Sequence, residues 1–206
     1  MSQLYELATI SFQLLSALEV SEDARAWIAA PEAMGTVLGC WRTEIGTLGR
    51  LLIFRGFESA DALERERQRA LLSTTPFNAG GAVTALKMNS YAAFPFLPPV
   101  RTGGDGKVYE FRTYRLKPGG LPPTRDGWEQ AIGPAHEYTA HLVTNMYALD
   151  GAPRITHIWR FASLEERASL RSKAHAAGVW PPKGGPENIL KATSTIALPE
   201  TWAPLP

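Results

Sequence analysis

Two residues of the 206-residue sequence have the spacing of one strand face and complementary chemistry. They are His157 and Trp159, within Thr156-His157-Ile158-Trp159-Arg160-Phe161. In an extended chain, residues two apart point the same way, so an imidazole would lie beside an indole. A histidine there can act as a general base, or as a haem ligand against an aromatic wall. It can equally be a hydrogen-bonded histidine packed under a helix. A second stretch, Val108 to Leu116, alternates so that Glu110, Arg112 and Tyr114 share one face, with Tyr109, Phe111 and Thr113 on the other. A carboxylate and a guanidinium on one face can pair, or Arg112 can hold an anionic group. Arg42 and Glu44 form a similar pair earlier in the chain. The site expected from sequence is therefore His157 as the catalytic candidate, with Glu110, Arg112, Tyr114, Trp159, Arg42 and Glu44 as ligand-binding candidates.

Other reactive residues point elsewhere. His136 and His141 are five apart, which does not place two ligands on one helical face. With no third ligand indicated by spacing, no metal site is expected. His175 follows a charged helical segment and reads as a residue near a helix end. Cys40, the single cysteine, excludes an internal disulfide and reads as a small core residue. Neither Gly103-Gly104-Asp105-Gly106 nor Lys183-Gly184-Gly185-Pro186 opens a helix after a strand, so no nucleotide loop is indicated. No Gly-x-Ser-x-Gly elbow is present. No cofactor is called for.

The elements that must position these residues come in two copies. Tyr5-Glu6-Leu7 returns as Tyr109-Glu110-Phe111, Phe57 as Phe161, Leu86-Lys87 as Leu190-Lys191, Ser90 as Ser194 and Pro95 as Pro199, each 104 residues later. A Pro/Gly-rich segment from Pro98 to Gly106 joins the copies, giving repeats over 1–102 and 103–206. Each copy opens with a strand. A helix follows, over Ser21 to Ala30 in the first copy and Arg125 to Tyr138 in the second, with Ser21 as an N-cap. Two strands joined by a turn come next, Thr36 to Glu44 with Arg50 to Phe57, and His141 to Ala148 with Arg154 to Phe161. A helix capped by Ser59 or Ser163 and a last strand, Thr84 to Phe94 or Asn188 to Leu198, complete each unit. The order βαββαβ, twice, predicts an α+β protein of two tandem ferredoxin-like units. Each unit has a sheet face without helices. Packing the two faces together within one chain gives an intrachain dimeric α/β barrel.

The composition bounds the partners. Twenty-one basic and 20 acidic residues leave a net charge of +1, without the basic excess of a nucleic-acid binder. No apolar run is long enough to cross a bilayer, and the N-terminus lacks a basic, apolar leader, so the expectation is a cytoplasmic protein without membrane insertion.

Three segments resemble the NIPSNAP family: Val108 to Gly119 its opening strand, His157 to Arg167 its strand-to-helix segment, and Trp41 to Leu48 its Thr-Glu-Ile-Gly hairpin. The resemblance covers both copies and implies membership of the dimeric α+β-barrel group. It implies no settled chemistry; related barrels include small monooxygenases, muconolactone isomerase-like enzymes and haem proteins. Each copy keeps a different half of the motif pattern. Ala8-Thr9-Ile10 replaces Arg-Thr-Tyr in the first, and Tyr147 to Gly151 replaces Thr-Glu-Ile-Gly in the second. A polar site is thus built from both copies, or one ancestral site has decayed. The resulting expectation is a small aromatic or apolar ligand held between sheet and helix, with cofactor-independent oxygenation or isomerisation and His157 as base. The alternative is a non-enzymatic interaction protein that uses the barrel surface and an exposed Val179-Trp180-Pro181-Pro182 loop. Homodimer formation is compatible with either.

Overall fold

Eight antiparallel strands close into one barrel, because each four-stranded half has two free edges that the other half can pair. The computed structural model describes residues 4–104 and 106–205. The elements are β1 (Leu4–Phe12), α1 (Ala17–Ile28), β2 (Thr36–Ile45), β3 (Arg50–Phe57), α2 (Ala60–Leu71), β4 (Val83–Ala93), β5 (Val108–Leu116), α3 (Leu121–Ile132), α4 (His136–Thr139), β6 (Leu142–Ala148), β7 (Arg154–Phe161), α5 (Leu164–Ala176) and β8 (Ile189–Pro199). Strand order around the barrel is β1-β3-β2-β8-β5-β7-β6-β4. The seams between halves are short. Trp41 to Ile45 pair with Ile196 to Pro199, and Tyr91 to Ala93 pair with Met146 to Ala148. Asp150 reinforces the second seam: its carboxylate accepts from the Ser90 amide at 2.7 Å and from Arg154 at 2.6 Å.

Alternation assigns each strand face to a different core. Tyr5, Leu7, Trp41, Leu52, Phe54, Tyr91, Tyr109, Phe111, Met146 and Ile158 fill the barrel interior. The outer faces pack under helices as two further cores, one per half. Glycine is required where the interior is tightest. A Cβ at Gly39 would stand 2.1 Å from the Trp41 ring, at a bulge in β2.

The predicted strands stand within a residue or two of those observed, and β3 and β7 match to the residue. Ser59 and Ser163 cap α2 and α5, accepting from the amides of Ala62 and Glu166. Two helix expectations need correction. α1 begins at Ala17, and Ser21 lies inside it with its hydroxyl donating to Glu200 at 2.8 Å. The expected helix over Arg125 to Tyr138 begins four residues earlier, where Pro122 and Pro123 suit a first turn. It is divided at Gly133 and Pro134 into α3 and the short α4. No helix among the described residues is long and apolar enough to cross a membrane.

The helix-covered core of the first half encloses a buried ion network. Arg55 of β3 donates to Glu6 of β1 and to Glu66 of α2, each at 2.5 Å, and all three are at most 1% exposed. Arg69 adds two bonds to Glu66. Burial works against the Glu66 charge, but bonds from Arg69 and the charge of Arg55 hold its carboxyl below its usual range. Removing the central cation would leave two buried carboxylates underpaired. Arg55→Ala is therefore expected to lose about 3–5 kcal/mol of stability, read as a lower urea midpoint at unchanged slope.

Candidate functional site

β5 and β7 are neighbours, and their register places Arg112 opposite His157 and Glu110 opposite Trp159. On the far side of β7, Asn145 of β6 stands opposite His157. Directly opposed residues point to one side of a sheet, so Arg112, His157 and Asn145 form a polar row across the outer face, under α3 and α5. Tyr114 belongs to the same face, its ring 4.9 Å from that of His157. Five of the seven expected site residues thus come together: Glu110, Arg112, Tyr114, His157 and Trp159. Arg42 and Glu44 do not join them. They lie on β2 in the other half, where Arg42 pairs with Glu200 at 2.5 Å and Glu44 is exposed at a shallow depression.

His157 is 1% exposed. The indole of Trp159 donates to its Nδ1 at 2.5 Å. An indole nitrogen is a donor only, so Nδ1 is unprotonated and a neutral ring carries its proton on Nε2. That Nε2 is buried and has no hydrogen-bond partner. Tyr114 and Trp128 meet the imidazole edge-on, both with centroids 4.9 Å away. Burial, then the nearby positive charges of Arg112 and Arg171, push the His157 pKa well below its ordinary 6.5. The ring is neutral through the physiological range.

Glu110 is fully buried. Its carboxylate accepts from Arg167 of α5 at 2.6 and 2.8 Å and from Ser194 of β8 at 2.6 Å; Arg112 stands 3.8 Å away. Burial opposes its ionisation, but the bonds from Arg167 and Ser194 and the guanidinium charges outweigh it, and its pKa is lowered. Glu110 is thus committed to anchoring α5 on the sheet.

Beside His157 lies a cavity of about 120 Å³ lined by Tyr114, Thr124, Trp128, Trp180, Pro182 and Ile189, among others. Trp180, expected on an exposed loop, is 7% exposed. It packs edge-on against Trp128 at 5.0 Å and Tyr138 at 5.2 Å. Tyr138 in turn stacks on Trp159 at 4.3 Å. The loop carrying Trp180 docks on α3 through Gly127, where a Cβ would lie 1.9 Å from the Lys183 carbonyl. Thr124, Trp128, Asn145, Tyr138 and Arg167 were not among the expected site residues. The one available signal was on α5, where Arg167 and Arg171 are four apart and so share a helix face. His141 Nδ1 lies 3.1 Å from the Arg160 carbonyl.

The row of Arg112, Tyr114 and His157 is not repeated in the first half. β1 and β3 precede β5 and β7 by 104 residues throughout. Ala8, Ile10 and Ile53 stand where Arg112, Tyr114 and His157 do, and Ala24 stands at the position of Trp128. Arg55 takes the place of Trp159, inside the buried ion network.

Comparison with known proteins agrees with this architecture. A family model described as NIPSNAP matches residues 5–79 and 109–204. Protein NipSnap homolog of Dictyostelium discoideum is 24% identical over 175 residues, covering 82% of this chain and 74% of that protein. Protein NipSnap of Drosophila melanogaster is 26% identical over 88 residues, covering 43% of this chain and 32% of that one. Among solved structures, an anthrone oxidase-like protein superposes with a TM-score of 0.69 at 14% identity, over 96% of this chain and 91% of its own. That likeness concerns the fold.

The buried histidine has a thermodynamic signature. Its folded pKa lies below its unfolded value of about 6.5, so below that pH the unfolded chain binds a proton that the folded one refuses. Stability attributable to His157 falls as pH drops, with a limiting slope of about 1.4 kcal/mol per pH unit. Glu110 adds its own loss only below the ordinary glutamate range near pH 4.5. Urea unfolding of His157→Leu is therefore expected to show a flatter pH dependence between about 6.5 and 4.5 than the unsubstituted protein.

Proposed function

The chain belongs to the NIPSNAP family, and we propose that it binds a small aromatic molecule in the cavity between α3 and the sheet of its second half. The observation that carries this reading is the unpartnered Nε2–H of His157 at the wall of an aromatic pocket. A buried donor without an acceptor costs about 1–3 kcal/mol. An acceptor atom on a ligand removes that cost, while Trp128, Trp180 and Tyr114 supply ring contacts. The volume of about 120 Å³ is near the roughly 150 Å³ of an apolar cavity that accommodates benzene. That size limits the ligand to a single ring.

In this reading His157 is a hydrogen-bond donor. Its Nδ1 is occupied by Trp159, and its Nε2 already carries the proton. It would polarise a carbonyl or steady negative charge on a ligand oxygen, the role of an electrophilic neutral imidazole. Any chemistry at the site would then be isomerisation or oxygenation of a ligand activated in this way. Glu110 and Arg167 would hold the helix over the pocket, and Trp159 would fix the tautomer.

Benzaldehyde is a suitable probe, offering one ring and one neutral acceptor. Calorimetric titration should detect binding to the unsubstituted protein and about a tenfold weaker affinity in His157→Leu, the equivalent of one hydrogen bond of about 1.4 kcal/mol. Equal affinity in both proteins, with the variant shown to be folded by its cooperative unfolding, would contradict the assignment.

A further inference from the structure

We infer that the ligand of this pocket is a single-ring oxyanion, a phenolate or a conjugated enolate, whose charged oxygen sits at His157 Nε2–H in the field of Arg112 and Arg171. The inference rests on the pocket reading above and adds the ligand's charge. It comes first from the balance of charge around His157. β5 contributes Arg112 and Glu110, and α5 contributes Arg167 and Arg171. The single carboxylate is bonded by Arg167 and approached by Arg112. Arg171 forms no ion pair among the described residues. Three guanidinium groups thus face one carboxylate.

The remaining neighbours cannot supply the missing negative charge. Tyr138 of α4 and Tyr114 of β5 stay protonated, because burial raises both hydroxyl pKa values, that of Tyr138 to about 12. From α3 the groups facing the cavity are the Thr124 hydroxyl and the Trp128 indole, neither of which is charged. His157 does not relieve the excess by changing its protonation, since it is already neutral.

Unfilled hydrogen-bonding capacity points the same way. His157 Nε2 and Arg112 Nε are buried donors without hydrogen bonds, Arg112 Nε standing 3.8 Å from Glu110 Oε1, and they belong to cross-strand neighbours on one face. A neutral carbonyl would fill the first but leave the excess positive charge uncompensated. An oxyanion answers both needs, and charge-assisted bonds are about twice as strong as neutral ones. The aromatic walls require that the charge belong to a flat, largely apolar body. Inorganic anions meet the first condition and not the second.

The test uses 4-nitrophenol, whose two protonation states differ in colour, with benzaldehyde as the uncharged reference. Absorbance titrations across pH should show the bound phenol ionising at lower pH than the free one, by about one unit, a tenfold preference for the anion. In Arg171→Gln and in Arg112→Gln that displacement should shrink, and the ratio of nitrophenolate to benzaldehyde affinity should fall. Arg171→Gln removes no hydrogen bond or ion pair among the described residues, so the test survives if Arg112→Gln fails to fold. Benzaldehyde binding with 4-nitrophenol bound as the neutral phenol would overturn the inference and leave the pocket reading standing. Failure of both probes to bind would overturn both.

Discussion

An indole N–H donates and cannot accept, and in this protein Trp159 directs its one donor at His157 Nδ1. That single bond settles the state of the site. It fixes which nitrogen carries the proton and leaves that nitrogen buried without a hydrogen-bond partner. The surrounding packing keeps the bond in place. Tyr138 stacks on the indole, Trp128 and Tyr114 hold the imidazole edge-on, and Trp180 closes the cluster from the loop after α5. Two stacked aromatic layers under helices bury the region, which is why an unpartnered donor there has energetic weight.

The barrel explains how such a site can exist in only one half. Closure buries the inner faces of both sheets against each other and satisfies the seams, so the outer face of each half is free to diverge. The first half filled its outer face with alanine and isoleucine and placed a buried Glu6–Arg55–Glu66 network where the second half has Trp159. That network, joined by Arg69, ties a helix to a sheet, with Glu6 Oε2 and Arg55 Nε left without hydrogen-bond partners. Its replacement by an aromatic pair and a lone donor leaves a vacancy beside a histidine. The two halves thus share one architecture and differ at a handful of outward-facing positions.

Much of this was legible from residue order. The 104-residue repeat gave the strand sequence, and alternation put Glu110, Arg112 and Tyr114 on one face and His157 with Trp159 on another, since two-residue periodicity is a local property. That these faces are one face required the register between β5 and β7, which is a long-range fact. Arg42 and Glu44 show the limit. Their alternation is equally clear and the repeat places them in the first half, but nothing local says that Glu200 will claim Arg42. Trp180 lies in an apolar, proline-rich segment that reads as an exposed loop; its burial depends on Gly127, which lets the loop backbone approach α3. Arg167 lies in a charged helix that resembles a solvated surface, and only the buried Glu110 beneath it reveals its inward contact. The helix starts at Leu121, ahead of the expected Arg125, because the proline pair that follows suits a first helical turn.

The most direct measurement is nitrogen-detected NMR of the histidine ring nitrogens in the intact protein, with His157 assigned by its absence from His157→Leu. The account predicts an unprotonated Nδ1 and a protonated Nε2, unchanged as the pH is lowered through about 6.5. A proton on Nδ1, or a ring that titrates near that ordinary value, would contradict it.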